Sequence, residues 1–141
     1  MIYVEERKFS RQIDLLRFIA SIHSLTICSW LYPESKSTSI AGVPVAEGSS
    51  NLQPVTTYGD GVRPRHTKLV EASHRTISAY AEAETEIVSH CDSLALYVAG
   101  QDSWFAVTIE HEGMCLVQDE SLLPMLSEAG FSVSTEPPSW W

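Results

Sequence analysis

The sequence predicts an α+β fold in which an antiparallel sheet packs with two longer helices and one short C-terminal helix. Three short apolar runs, at 94–99, 104–110 and 114–118, follow one another with turn-like residues between them. This succession is typical of an antiparallel meander. Helical periodicity occurs both before and after it. With 141 residues, we expect a single α+β domain over 1–141, organised around the meander 94–118.

The N-terminal part predicts a strand, a helix and a second strand. Apolar residues alternate over 1–5, which indicates the first strand. They recur at helical spacing over 11–23, and Ser10 is a suitable N-cap for that helix. Residues 25–32 are rich in β-branched and aromatic side chains, so we expect a strand that Pro33 ends.

The middle of the chain predicts a long loop and then a second helix. Residues 33–64 hold four of the seven prolines and four of the seven glycines. Short strands could form within this loop at 40–45 and 55–58. A loop of this length inside a domain is usually functional or mobile. Helical spacing and three alanines then predict a helix from 65 to about 87.

The chain after the meander predicts a short helix and a last strand. Asp119 is a suitable N-cap for a helix over 120–129, and Gly130 suits the position that follows its end. Pro124 sits after the first turn, so we expect a tightened or 3₁₀ start. Residues 131–134 predict the final strand.

The charge distribution is the strongest functional signal. Residues 76–141 contain eleven acids and no Lys or Arg, whereas 1–75 hold all nine basic residues and seven acids. These parts carry −11 and +2, which sum to the net −9. Such a balance excludes most binding to nucleic-acid backbones and anionic membranes, which needs cations. It favours a basic protein partner, although acids that serve only solubility are the simpler alternative.

The candidate partner-binding residues are acids of this cation-free part together with the two terminal tryptophans. Acids without cations gain no internal salt bridges and repel one another, so a function that needs negative potential would explain them. The terminal indoles either pack back onto the sheet, which we expect, or anchor in a partner's pocket. The candidates are Glu82, Glu84, Glu86, Asp92, Glu110, Glu112, Asp119, Glu120, Trp140 and Trp141.

One short motif raises the question of a metal. The segment from His111 to Cys115 resembles the zinc-protease motif H-E-x-x-H, with Cys115 in place of the second His. That motif needs a helix, whereas this segment falls on a predicted hairpin with Gly113 at the turn. On a strand, residues four apart lie more than ~10 Å apart, too far for one ion. We therefore expect no metal and no cofactor.

The cysteines offer an alternative chemistry. Cys91 lies beside His90 and Asp92, and it could act as a nucleophile with His111 or His74 as base. Sequence neighbours rarely form a triad, however, and no nucleophile-elbow or phosphate-loop motif occurs. Three cysteines at wide spacings also argue against a disulfide framework. We expect buried free thiols.

These features favour a non-catalytic, acidic protein inhibitor that binds and blocks or remodels a basic, nucleic-acid-handling partner. The profile is similar to that of bacterial or phage inhibitors as a class, such as immunity proteins against toxins and anti-CRISPR proteins. The alternatives are a small Cys/His enzyme or α+β ligand-binding domain, and an acidic secretion or assembly chaperone. Without an apolar run of ~18 residues or a signal-peptide pattern, we expect a cytoplasmic monomer or homodimer.

Overall fold

A seven-stranded antiparallel sheet organises the chain in the computed structural model, which describes residues 1–59 and 61–141. The strands are β1 Ile2–Glu5, β2 Leu25–Leu31, β3 Ser39–Ile40, β4 Val43–Pro44, β5 Val70–Glu71, β6 Cys91–Val98, β7 Trp104–Ile109, β8 Met114–Val117 and β9 Val133–Ser134. The helices are α1 Phe9–Ile22, α2 His74–Glu82, α3 Glu84–His90 and α4 Leu123–Glu128. The strand order is β5-β2-β6-β7-β8-β1-β9, and β3 and β4 form a separate hairpin.

The predicted α+β class is confirmed, and so is the meander, which is β6, β7 and β8. β6 begins three residues earlier than predicted because it also pairs with β2, where Leu31 lies opposite Cys91. Among the described residues, no helix is long and apolar enough to cross a membrane.

The helices cover one face of the sheet. α1 buries Leu15, Leu16 and Ile19 completely, and these side chains belong to one core with Ile27 of β2 and Leu96 of β6. Apolar positions three and four apart on the helix thus meet alternate residues of the strands. This face holds the larger core.

The second half of the long loop covers the other face. Leu52 and Val55 are buried in a second core that contains Trp30, Tyr97 and Trp104. Hydrogen bonds fix the loop backbone there: the hydroxyl of Tyr97 donates to the carbonyl of Gln53 at 2.8 Å, and Ser93 Oγ donates to that of Val55 at 2.6 Å. Of the loop predicted over 33–64, the stretch from Leu52 to Val55 is therefore a packed layer of the fold, and residue 60 lies outside the described residues.

The predicted helix over 65–87 is wrong in its first part. Val70 and Glu71 form β5, which pairs with Ile27 and Thr26 at the edge of β2. Without β5, the backbone groups on this side of β2 would be unpaired, and pairing them stabilises the strand more than the local helical spacing stabilises a helix. The helix begins only at His74, where the side chain of Ser73 accepts a hydrogen bond from the amide of Thr76.

Two further boundaries differ from the sequence predictions. The second helix is interrupted at Ala83, whose φ of −104° and ψ of 27° separate α2 from α3. α1 begins at Phe9, so Ser10 lies inside that helix and Lys8 takes the N-cap position. No strand forms over 55–58, a range that lies wholly within the described residues.

The C-terminal elements follow the prediction. Asp119 caps a 3₁₀ turn, Glu120–Leu122, by accepting hydrogen bonds from the amide and hydroxyl of Ser121. α4 continues from this turn, and Gly130 follows with a φ of +92°, which favours glycine. The final strand β9 covers only the second half of the predicted range.

Candidate functional site

One end of the sheet gathers side chains that are far apart in sequence. β2 ends where β6 begins, since Leu31 lies opposite Cys91, and the turn between β7 and β8 closes the same end. The neighbouring strands therefore bring together residues from three segments. We call this group the acidic end; it consists of Tyr32, Glu34, Asp92, Glu110, His111 and Glu112.

Asp92 is the buried anchor of the acidic end. Its side chain is 0% exposed, so the sequence-based assignment of Asp92 to a partner-contacting surface is wrong. The amide of Thr57 donates to Oδ2 at 2.5 Å, and the hydroxyl of Thr57 donates to Oδ1 at 2.8 Å. His111 Nε2 lies 2.7 Å from the same Oδ1. These bonds compensate the loss of hydration, and they tie the loop to the start of β6.

His111 connects the buried carboxylate to the surface. Because a carboxylate accepts hydrogen bonds, Nε2 is the donor to Asp92, and the ring is held in one orientation. Its other nitrogen, Nδ1, lies 3.7 Å from Oε1 of Glu112. The ring also packs against Tyr32, with centroids 5.7 Å apart. The imidazole thus lies between an inner and an outer carboxylate.

The pKa of Tyr32 reflects the negative charge that surrounds it at the acidic end. Burial, together with the negative charges of Asp92, Glu110 and Glu34, raises the pKa of its phenol to about 12. Each of these effects disfavours the phenolate. The phenol therefore stays neutral near physiological pH, and the acids around it produce a negative potential.

The turn at the acidic end depends on a glycine. Glu110–Glu112 form a 3₁₀ turn that ends at Gly113, whose φ is +61°. A Cβ at Gly113 would also lie 3.0 Å from Cγ of Arg7. Both Glu110 and Glu112 are half-buried. Within 1–59 and 61–141, no three His, Cys, Asp or Glu side chains converge as a metal-ligand group.

The terminal tryptophans extend this end of the molecule. Trp140 is 47% exposed and Trp141 is 44% exposed, so the expectation that they pack back onto the sheet is wrong. The ring of Trp140 lies 5.8 Å from the guanidinium of Arg7, and the Trp141 ring meets it edge-on at 6.0 Å. Since Arg7 packs against Gly113, the two indoles lie beside the acidic turn.

The other predicted acids lie elsewhere. Glu82 and Glu84 are exposed where α2 meets α3, on the helical layer. Glu86 is half-buried and accepts a hydrogen bond from the amide of Ala41 at 2.5 Å. Asp119 and Glu120 follow the far end of β8, ~10 Å from the acidic turn. Asp119 caps its turn, and Glu120 contacts the amino group of Met1 at 2.5 Å. The candidate acids therefore do not share one face.

Sequence reasoning missed Tyr32, Glu34 and Thr57 as parts of this site. The count of charges directed attention to residues 76–141, and these three precede that part. From the sequence, His111 is a candidate only for a metal ligand or for a base to Cys91. Tyr32 comes beside Asp92 because β2 pairs with β6, and that pairing is not visible in the sequence.

The cysteines are free and buried, as predicted. Burial raises the pKa of the Cys91 thiol to about 12 and those of Cys28 and Cys115 still higher. His90, the sequence neighbour of Cys91, has its Nδ1 within 2.9 Å of Ser35 Oγ. A buried thiol that holds its proton is a poor nucleophile, which weighs against Cys91 in that role.

We expect all three thiols to react with a thiol reagent at least about a hundredfold more slowly in the folded chain than in denaturant, because reaction requires opening of the core. Timed alkylation followed by mass spectrometry measures this. One thiol that reacts rapidly in the folded chain and maps to Cys91 would contradict the expectation and favour the Cys/His enzyme.

No protein-family model matches the chain, and the comparisons with curated proteins and with solved structures found no match.

Proposed function

We propose that the protein is a non-catalytic inhibitor, of the kind represented by immunity proteins and anti-CRISPR proteins. It binds a basic, nucleic-acid-handling protein through the acidic end and the terminal tryptophans. The observation that carries this proposal is the position of two exposed indoles beside the acidic turn. Exposed apolar surface next to charged residues commonly marks a protein interface.

The arrangement fits the anatomy of a binding site. Tryptophan is enriched among the residues that dominate binding energy, and polar residues commonly surround such anchors. Here Trp140 and Trp141 would be the anchors, and Glu34, Glu110 and Glu112 the charged rim. Each acid would meet a Lys or Arg that the partner otherwise uses to bind phosphates.

Buried hydrogen bonds also hold the acidic end in place. Asp92 holds Thr57 and His111, and His111 in turn packs against Tyr32. A surface that is ordered before binding loses less conformational entropy when the complex forms. The buried network thus serves binding by holding His111, and with it the turn that carries Glu110 and Glu112.

Charge complementarity determines the rate of association in this proposal. Negative potential attracts a basic partner over about one Debye length, which is ~10 Å at 0.1 M salt. Rim charges act mainly on the association rate. Residues 76–141 supply no cation; Arg7, which lies between Gly113 and Trp140, offsets part of this field.

We expect the double variant Glu110→Lys, Glu112→Lys to slow association about tenfold at low salt, with the difference shrinking as salt rises. The control is Glu82→Lys, Glu84→Lys, which changes the net charge of −9 by the same four units on the helical layer. The immobilised chain captures the partner from host extract, and surface plasmon resonance then measures its rates with each variant.

If association slows with Glu110→Lys, Glu112→Lys but not with Glu82→Lys, Glu84→Lys, the result supports the acidic end as the interface. An equal reduction of the association rate with both double variants would contradict that assignment and indicate that only the total charge matters. Unchanged rates and unchanged salt dependence with both variants would mean that the acids serve solubility, and the inhibitor proposal would lose its main support.

A further inference from the structure

A guanidinium of the chain itself lies against the terminal tryptophans. Cζ of Arg7 lies over the ring of Trp140, 5.8 Å from its centroid, and Trp141 meets that ring edge-on. This distance is within the range of a cation–π contact, in which the face of an aromatic ring attracts a cation. The structure thus shows that the indole of Trp140 is placed to take a guanidinium.

Arg7 makes this contact although carboxylates are close by. Its side chain packs beside Gly113, which directly follows the turn Glu110–Glu112. Within 1–59 and 61–141, no carboxylate lies at ion-pairing distance from Arg7, and neither Glu110 nor Glu112 pairs with a Lys or Arg. The negative charges of the turn therefore remain available to a partner.

A partner can take the place of Arg7 at low cost. Arg7 is exposed, and in the described part of the chain the hydrogen bonds from arginine side chains come from Arg11, Arg17 and Arg65. A cation–π contact at an exposed position is weak. Both indoles are also nearly half exposed, so another side chain can reach them.

We propose that the acidic end and the terminal tryptophans select arginine over lysine in their partner, an inference that rests on the proposed function. An arginine of the partner takes the position of Arg7 against Trp140, and its charge lies toward Glu110 and Glu112. The planar, weakly hydrated guanidinium stacks on an aromatic ring, whereas the ammonium of lysine is a strongly hydrated point charge. Lysine therefore pairs with the acids but gains less from the indole.

The test is calorimetric titration of the full chain with a short peptide in which arginine alternates with glycine, and with the same peptide carrying lysine, at low and constant ionic strength. We expect the arginine peptide to bind about fivefold more tightly. The double variant Trp140→Leu, Trp141→Leu keeps apolar side chains but removes the aromatic faces, so this ratio of affinities should fall at least about threefold.

The variant Arg7→Ala tests the exchange of one arginine for another. It frees the ring of Trp140, so the ratio of affinities should rise about twofold. Arg11→Ala is the matched control, because it removes the same charge and a contact of the same kind, 4.5 Å from the centroid of the Phe131 ring. It should leave the ratio unchanged. A ratio that rises equally with both variants, or with neither, would contradict the exchange.

Three results would overturn the selection of arginine: no binding of either peptide, equal binding of both, and a preference that the leucine variant leaves unchanged, since the carboxylates alone would then cause it. Glu110→Lys, Glu112→Lys tests the proposed function separately, because it should weaken the binding of both peptides. Equal binding that this variant abolishes would refute only the choice of arginine. Binding that this variant leaves undiminished would contradict the acidic end as the interface.

Discussion

Replacing Asp92 by alanine is expected to destabilise the fold by about 2–4 kcal/mol. The carboxylate is completely buried and accepts hydrogen bonds from Thr57 and His111. Its removal leaves the amide and hydroxyl of Thr57 without an acceptor and detaches the loop from the start of β6. Denaturant unfolding, followed by tryptophan fluorescence, measures the loss as a lower transition midpoint.

Two controls separate the roles of charge and of hydrogen bonding at this position. Asp92→Asn keeps an acceptor oxygen at nearly the same place, so we expect a smaller loss than with alanine. Asp102→Ala removes an exposed carboxylate from the turn between β6 and β7 and should change stability by less than about 0.5 kcal/mol. If Asp92→Ala unfolds at the same denaturant concentration as Asp102→Ala, the network at the acidic end is not a source of stability.

The double variant Trp140→Ala, Trp141→Ala is expected to weaken binding to the partner about thirtyfold or more, because anchor tryptophans typically contribute 2 kcal/mol or more to affinity. Its unfolding midpoint should stay close to that of the unsubstituted chain, since both indoles are nearly half exposed. Equilibrium binding and denaturant unfolding, measured on the same preparations, separate the two effects.

The matched control for the tryptophans is Met125→Ala, which removes an exposed apolar side chain of similar accessibility from α4. We expect it to leave affinity unchanged. Loss of stability without loss of affinity in the tryptophan variant would contradict the proposal and show that the contact with Arg7 serves the fold.

The meander and the C-terminal helix could be predicted because their signals are local. Alternating apolar residues with short turns specify strands that pair with their sequence neighbours, and Asp119 and Gly130 mark helix ends by their own chemistry. The stretch before His74 could not be predicted in this way. Its helical spacing is real, but pairing with the edge of β2 depends on a strand more than forty residues earlier.

The site was predictable only in part for the same reason. A count of acids identifies Glu110 and Glu112, yet it treats every carboxylate as solvated and so includes the buried Asp92. Tyr32 and Glu34 join the acidic end through strand pairing, which no local pattern encodes. From the sequence we expect Trp140 and Trp141 to pack back onto the sheet, whereas in the structure Trp140 lies beside Arg7 and Trp141 lies against Trp140.

The place of β1 in the sheet has a consequence for how the chain reaches its native state. Tyr3 lies opposite Leu116 on one side and Ser134 on the other, so the first strand fits between two that come last. Closing contacts over more than a hundred residues is entropically costly and slows folding. During synthesis, Ile2 and Val4 have no strand partner until β8 has emerged, more than a hundred residues later. The N-terminal strand therefore docks late, and the apolar edge of β8 is exposed to other chains until it does.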